Sequence, residues 1–110
     1  MRVPATCAAG PPAPTANVTF HVTASTTPGE NIFLTGSVDA LANWSPAGAL
    51  ALGAAAYPVW SVSALLPVDT QVQYKYIRKE ADGSVVWESD PNMQIQTPAS
   101  GSMSTTDVWR

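Results

Sequence analysis

From Asn17 onward the chain alternates apolar and polar residues in short runs. Val18, Phe20 and Val22 fall on one side of a period of two, with Thr19, His21 and Thr23 on the other, which predicts a half-buried β-strand. The turn residues Pro28-Gly29-Glu30-Asn31 follow. Residues 32–38 then form an apolar run rich in β-formers and predict a second strand. Residues 59–66 place Trp60, Val62 and Ala64 on one face, and residues 71–77 place Val72, Tyr74 and Tyr76 opposite Gln73 and Lys75. Pro67-Val68-Asp69 between these two strands predicts a hairpin. Asp82-Gly83 is the strongest short hairpin signal, joining the Tyr74 strand to residues 85–88. Extended pieces at 93–97 and 104–109 complete the series.

Residues 39–56 show little alternation. They contain Asn43-Trp44-Ser45-Pro46 and read as a long loop, whose Ala-rich part at 47–56 has the composition of a short helical turn. Residues 1–16 hold four of the ten prolines and no hydrophobic period, so they read as a linker or tail, with the folded domain at 17–110. Regular turn signals and the absence of a long helical pattern predict an all-β fold. The expectation is an immunoglobulin-like β-sandwich of about seven to eight short antiparallel strands.

Composition narrows the function. The chain of 110 residues fits one domain, and its charged share of 12% is half the usual value of about 25%. The surface must therefore be built from neutral polar side chains, which suits a neutral, hydroxyl-covered ligand. The formal net charge is −3, and only Arg2, Lys75, Arg78, Lys79 and Arg110 are cationic. No basic stripe exists to track phosphates, so nucleic acid is not expected as a partner. No apolar run approaches the roughly 20 residues of a membrane span, and membrane is not expected either. The opening residues lack the apolar core of a signal peptide, so the chain is expected to be a domain of a longer protein. A monomer is expected.

Candidate catalytic chemistry is sparse. His21 is the single histidine and stands on the polar face of a strand with no nucleophile patterned beside it. Glu88 and Asp90, two residues apart on one segment, cannot flank a sugar from opposite sides as a glycosidase requires. No metal-ligand cluster or phosphate-cradling loop appears, and Cys7 is alone. The expectation is no catalytic residue, no metal and no cofactor.

Four tryptophans are the informative feature, because a displayed indole is costly unless it binds something. Trp60 and Trp109 lie in alternating apolar segments and read as core. Trp44 sits in a loop and Trp87 precedes the polar run Glu88-Ser89-Asp90-Pro91-Asn92. On pattern alone both stand open between core and display. A sugar gives displayed tryptophans a purpose, since the axial hydrogens of a pyranose form an apolar face that lies flat on an indole. Stacking of flat ligands on aromatic rings contributes roughly 1 to 3 kcal/mol by analogy with nucleobases.

Several ordered blocks then resemble a known family. Gly29-Glu30-Asn31-Ile32-Phe33-Leu34-Thr35-Gly36-Ser37, Leu41-Ala42-Asn43-Trp44, Tyr57-Pro58-Val59-Trp60, Leu66-Pro67, Gln73-Tyr74-Lys75-Tyr76-Ile77-Arg78 and Val86-Trp87-Glu88-Ser89-Asp90-Pro91-Asn92 are similar to the starch-binding domains of carbohydrate-binding module family 20, above all those of fungal glucoamylases. The resemblance implies an open-sided β-sandwich without catalysis. It implies a first sugar site of Trp44, Lys75, Trp87, Glu88 and Asn92, and as ligands starch, amylose, maltooligosaccharides and cyclodextrins. By the same kinship the domain is expected to be secreted as part of a starch-active enzyme. A second family site depends on tyrosines in two loops. Pro28 stands where one is expected, leaving Tyr57, with Trp60 beside it, either to fill the second site or to serve as an ordinary tyrosine ahead of Pro58. The family's partner for Cys7 is replaced by Ser100, which implies an untethered tail and Cys7-linked dimers in oxidising buffer. Asn17-Val18-Thr19 and Asn43-Trp44-Ser45 are glycosylation sequons, the second beside a presumed binding tryptophan.

Two rival classes make different predictions. An immunoglobulin-like protein-interaction module would leave the fluorescence of Trp44 and Trp87 unchanged by soluble glucans. A small glycoside hydrolase would release reducing ends from amylose and lose that activity in Glu88→Gln.

Overall fold

The computed structural model describes residues 14–110, so the expectations for Cys7 and for most of the proline-rich tail lie outside the described residues. Among these residues the alternating runs become nine strands: β1 (Thr15–Thr23), β2 (Asn31–Gly36), β3 (Leu50–Ala51), β4 (Gly53–Ala56), β5 (Val59–Pro67), β6 (Gln71–Lys79), β7 (Val85–Trp87), β8 (Met93–Gln96) and β9 (Ser102–Val108). Two 3-10 turns, Asp39–Trp44 and Pro46–Gly48, lie between β2 and β3. One sheet runs β4-β5-β1-β9 and the other β3-β2-β6-β7, with β8 also paired to β6.

The period-two residues of the two sheets meet in one core. Val18, Phe20 and Val22 of β1 and Trp60 and Leu66 of β5 are buried, as are Ile32 and Leu34 of β2 and Val72, Tyr74 and Tyr76 of β6. Each such large apolar side chain contributes about 1.5–3 kcal/mol relative to exposure. Phe20 and Tyr74 pack edge to face across the layers at 5.0 Å. The layers are also tied by polar contacts: Asp107 of β9 accepts hydrogen bonds from Tyr74 at 2.9 Å and Tyr76 at 2.8 Å, both on β6. Burial first, and then the Asp107 charge, push both phenols well above their ordinary 10.

Three local expectations are corrected. Pro67-Val68-Asp69 is a crossover between the sheets, since β5 and β6 belong to different layers. Its backbone is satisfied from elsewhere: Val68 N–H donates to Pro14 O and Asp69 N–H to Pro98 O. Buried Thr97 holds the crossing, its hydroxyl donating to Pro67 O and accepting from Thr70 N–H. Second, the strands are not all antiparallel. β9 arrives from the opposite sheet, free of hairpin constraint, and lies parallel to β1 from Asn17↔Ser102 to Thr23↔Val108. Third, residues 47–56 are mostly extended, the one helical turn there, Pro46–Gly48, reaching only their first two residues. Leu50 packs on the core, Leu52 is buried in it, and their spacing of two residues favours strand over helix.

The Asp82-Gly83 signal holds. Gly83, at φ +91, closes the hairpin with its N–H on Glu80 O, and Lys79 then pairs with Val85. No helix of the described residues is long and apolar enough to cross a membrane.

Candidate functional site

The site forms where the ladder along β6 is interrupted. One edge of β6 is paired without a break with β2, from Asn31↔Lys79 to Gly36↔Tyr74. The other edge is shared by two short strands. β7 covers Ile77 to Lys79 and β8 covers Gln71 to Tyr74, while residues 88–92 leave the sheet between them. Lys75 and Tyr76 therefore face a gap.

Glu88 fills the gap with its side chain. It is buried, and its Oε1 accepts Tyr76 N–H at 2.9 Å while its own N–H donates to Tyr76 O at 3.2 Å. Oε2 accepts Arg110 N–H at 3.2 Å. Burial raises the Glu88 carboxyl above its ordinary 4.5, against the pull of these backbone donors. The loop above is fixed at both ends. Ser89 N–H donates to Arg110 O, Arg110 Nη2 donates to Pro91 O at 2.6 Å, and Asn92 Nδ2 donates to Gln73 Oε1 at 2.9 Å. The Asp90–Pro91 peptide is cis.

Trp44 reaches the same place from the other side. Thr35, the cross-strand neighbour of Lys75, donates its buried hydroxyl to Leu41 O at 2.8 Å and so anchors the turn Asp39–Trp44. Gly36 admits this turn, because a Cβ there would lie 2.8 Å from Leu41 Cδ1 and 2.5 Å from Gln73 O. Ala42, Asn43 and Trp44 have φ of +66°, +48° and +68°. Three successive left-handed residues cost on the order of 1–3 kcal/mol each and persist only where the surroundings impose them. Here Leu41 and Asn43 N–H both donate to Val38 O, Ser45 N–H to Ala42 O, and Asn43 Nδ2 to Asp39.

Trp44, Lys75, Trp87 and Asn92 line an open cleft of about 340 Å³. Trp87 is 40% exposed. The Lys75 side chain is only 11% exposed and its ammonium is paired with Asp90, whose side chain is 90% exposed. Lys75 holds the Asp90 carboxyl below its ordinary value, with Arg110 adding to the effect.

Four of the five expected first-site residues are thus brought together. Glu88 lies beneath them, with both carboxylate oxygens engaged by backbone donors. Sequence reasoning missed Asp90, Gln73 and Arg110. A lysine patterned into a strand needs a charged partner if buried, and that was the available signal for Asp90.

The other expected site residues lie apart from the cleft. Trp60 is core, donating its indole N–H to Ala24 O at 3.0 Å. Tyr57 is 51% exposed and packs edge-on against Trp60, with its hydroxyl accepting Thr26 N–H and donating to Thr26 O. His21 Nδ1 donates to Thr105 O. Among the described residues no three His, Cys, Asp or Glu side chains gather to hold a metal.

A β-sandwich whose cleft is lined by two indoles, an ion-paired lysine and an amide has the make-up of a polysaccharide-binding module. The chain is a member of the starch-binding domain family, whose model matches residues 15–107. It is 54% identical over 114 residues to Glucoamylase-1 of Schizophyllum commune (strain H4-8 / FGSC 9210), covering 100% of this chain and 20% of that protein. Among solved structures it superposes on the family 15 glucoamylase of Hypocrea jecorina with a TM-score of 0.83 and 35% identity, over 99% of this chain and 19% of that one. It also superposes on the family 20 module of the maltotetraose-forming amylase of Pseudomonas saccharophila STB07, with a TM-score of 0.66 and 35% identity. That match covers 79% of this chain and 99% of the module. The chain spans about one fifth of the glucoamylases it resembles, and corresponds to a non-catalytic binding module.

Proposed function

We propose that the cleft binds α-1,4-glucan by stacking glucose rings on Trp44 and Trp87, with Lys75 and Asn92 donating hydrogen bonds to ring hydroxyls. The observation that carries this is the convergence of two indoles, Trp44 from the turn after β2 and Trp87 from the end of β7, on one cleft with the largely buried Lys75. Two apolar faces in one open cleft suit successive rings of a glucan chain, and the donors fix its register. Glu88 acts from below, holding residues 88–92 in place through Tyr76 and Arg110. Two stacks and a few hydrogen bonds made in competition with water give a dissociation constant of roughly micromolar to millimolar.

Amylose, maltooligosaccharides and cyclodextrins share the required curvature. The module acts in tethering a starch-active hydrolase or oxidase to its substrate, as part of a secreted enzyme. Tyr57 offers a second, single-ring contact at another place on the sandwich, and Trp60 supports it from the core. Titration with β-cyclodextrin tests the reading: saturable quenching of tryptophan fluorescence supports it, and an unchanged spectrum from folded protein contradicts it.

A further inference from the structure

Among the described residues Lys75 is the sole cation lining the cleft, and it is not free. Its ammonium is bonded to Asp90, on a loop whose flanking residues Ser89 and Pro91 are both held by Arg110. Asp90 is therefore fixed over the lysine. An ammonium has three donors, so Lys75 keeps two for hydroxyls while paired. The pairing removes what a bare ammonium between two indoles would otherwise supply, a strong attraction for anions. The remaining charges nearby do not restore it. Glu88 is spent on backbone donors, Asp39 on the Trp44 turn is bonded to Asn43, and the Arg110 guanidinium, which keeps its charge while donating to Pro91 O, acts on the same Asp90 carboxyl as Lys75.

We propose that Asp90 makes the cleft selective for uncharged glucan over glucan bearing anionic substituents such as phosphate monoesters. The inference rests on the stacking reading above and extends it to substituted substrate. A neutral ring meets a self-neutralised pair and loses nothing. A phosphate beside the stacked ring meets the exposed carboxylate, with Lys75 already taken, so the discrimination comes from a built-in repulsive element.

The test compares β-cyclodextrin with its singly phosphorylated derivative at low ionic strength, so that the curvature and stacking faces of the two probes are matched. Wild type should prefer the neutral ring. In Asp90→Asn the ratio of phosphorylated to neutral affinity should rise on the order of tenfold, the scale of one partly screened charge pair. Asp90→Glu should keep the wild-type ratio. The gain should vanish in Asp90→Asn combined with Lys75→Met, and in salt of about 1 M, where the screening length falls to about 3 Å. The inference is overturned if the neutral ring binds but the ratio in Asp90→Asn stays within about twofold of wild type, a difference under 0.5 kcal/mol. A folded wild type that binds neither probe overturns the stacking reading instead, and this inference with it.

Discussion

Glu88 Oε1 accepts the amide N–H of Tyr76 at 2.9 Å, taking the place of a strand partner at the point where β7 leaves β6. A side chain thus supplies the second bond of a pair whose first, Glu88 N–H to Tyr76 O, is still made by the backbone, and the chain released beyond it carries Asp90 and Asn92 to the cleft. Glu88→Gln places an amide nitrogen against Arg110 N–H or Tyr76 N–H, two donors facing each other. Urea unfolding should show a loss of roughly 1–3 kcal/mol, the cost of an unsatisfied buried donor. Unchanged stability with lost glucan binding would instead make Glu88 a direct sugar contact.

Tyr74 and Tyr76 share Asp107 across the two sheets, and both phenols are raised in the folded state. Above the ordinary 10 the unfolded chain releases these protons while the folded chain keeps them, so their contribution to stability is intact below pH 10 and falls as pH rises further. Followed by phenolate absorbance, the ionisation of these two rings should coincide with unfolding. Ionisation of both in a folded protein would contradict the buried pairing.

Gly36 is where the Trp44 turn presses on the sheet. Gly36→Ala should cost about 1–3 kcal/mol as an overpacked site, and should weaken β-cyclodextrin binding by displacing Leu41 and with it Trp44. Wild-type stability and affinity in this variant would mean that the turn is not held by the close approach.

How much of this was legible beforehand depends on the kind of contact. Alternation located Val18, Phe20, Val22, Trp60, Val72, Tyr74 and Tyr76 as the core, because period two fixes which face a residue takes. The same pattern cannot say which sheet a strand joins, so Pro67-Val68-Asp69 looked like a hairpin and the parallel β1–β9 pairing was invisible. The site divided in the same way. Trp44 and Trp87 stood open between core and display until the family resemblance assigned them to the site, and Lys75 was patterned on the polar face of its strand. The role of Glu88 depends on a broken ladder formed by residues 12 apart, and Asp90 on a pairing across 15 positions. Neither separation says in sequence which residue the partner is.

Tyr57 differs from the cleft residues in that the indole packed against it, Trp60, is buried, and Pro28 stands where the resemblance implies a second loop aromatic. Calorimetry should therefore return one β-cyclodextrin per chain at micromolar to low-millimolar ligand. Tyr57→Ala should reduce adsorption to starch granules, where a second weak contact adds avidity, more than it reduces cyclodextrin affinity. Two equivalent cyclodextrins per wild-type chain would contradict this asymmetry.

The central claim is that Trp44 and Trp87 form one stacking platform, and calorimetric titration of β-cyclodextrin into wild type, Trp44→Ala, Trp87→Ala and the double variant tests it most directly. Each single change should weaken binding by roughly 1–3 kcal/mol, and the double variant, still folded by circular dichroism, should show no measurable heat. Binding that survives in the folded double variant would contradict the account and place the glucan elsewhere on the sandwich.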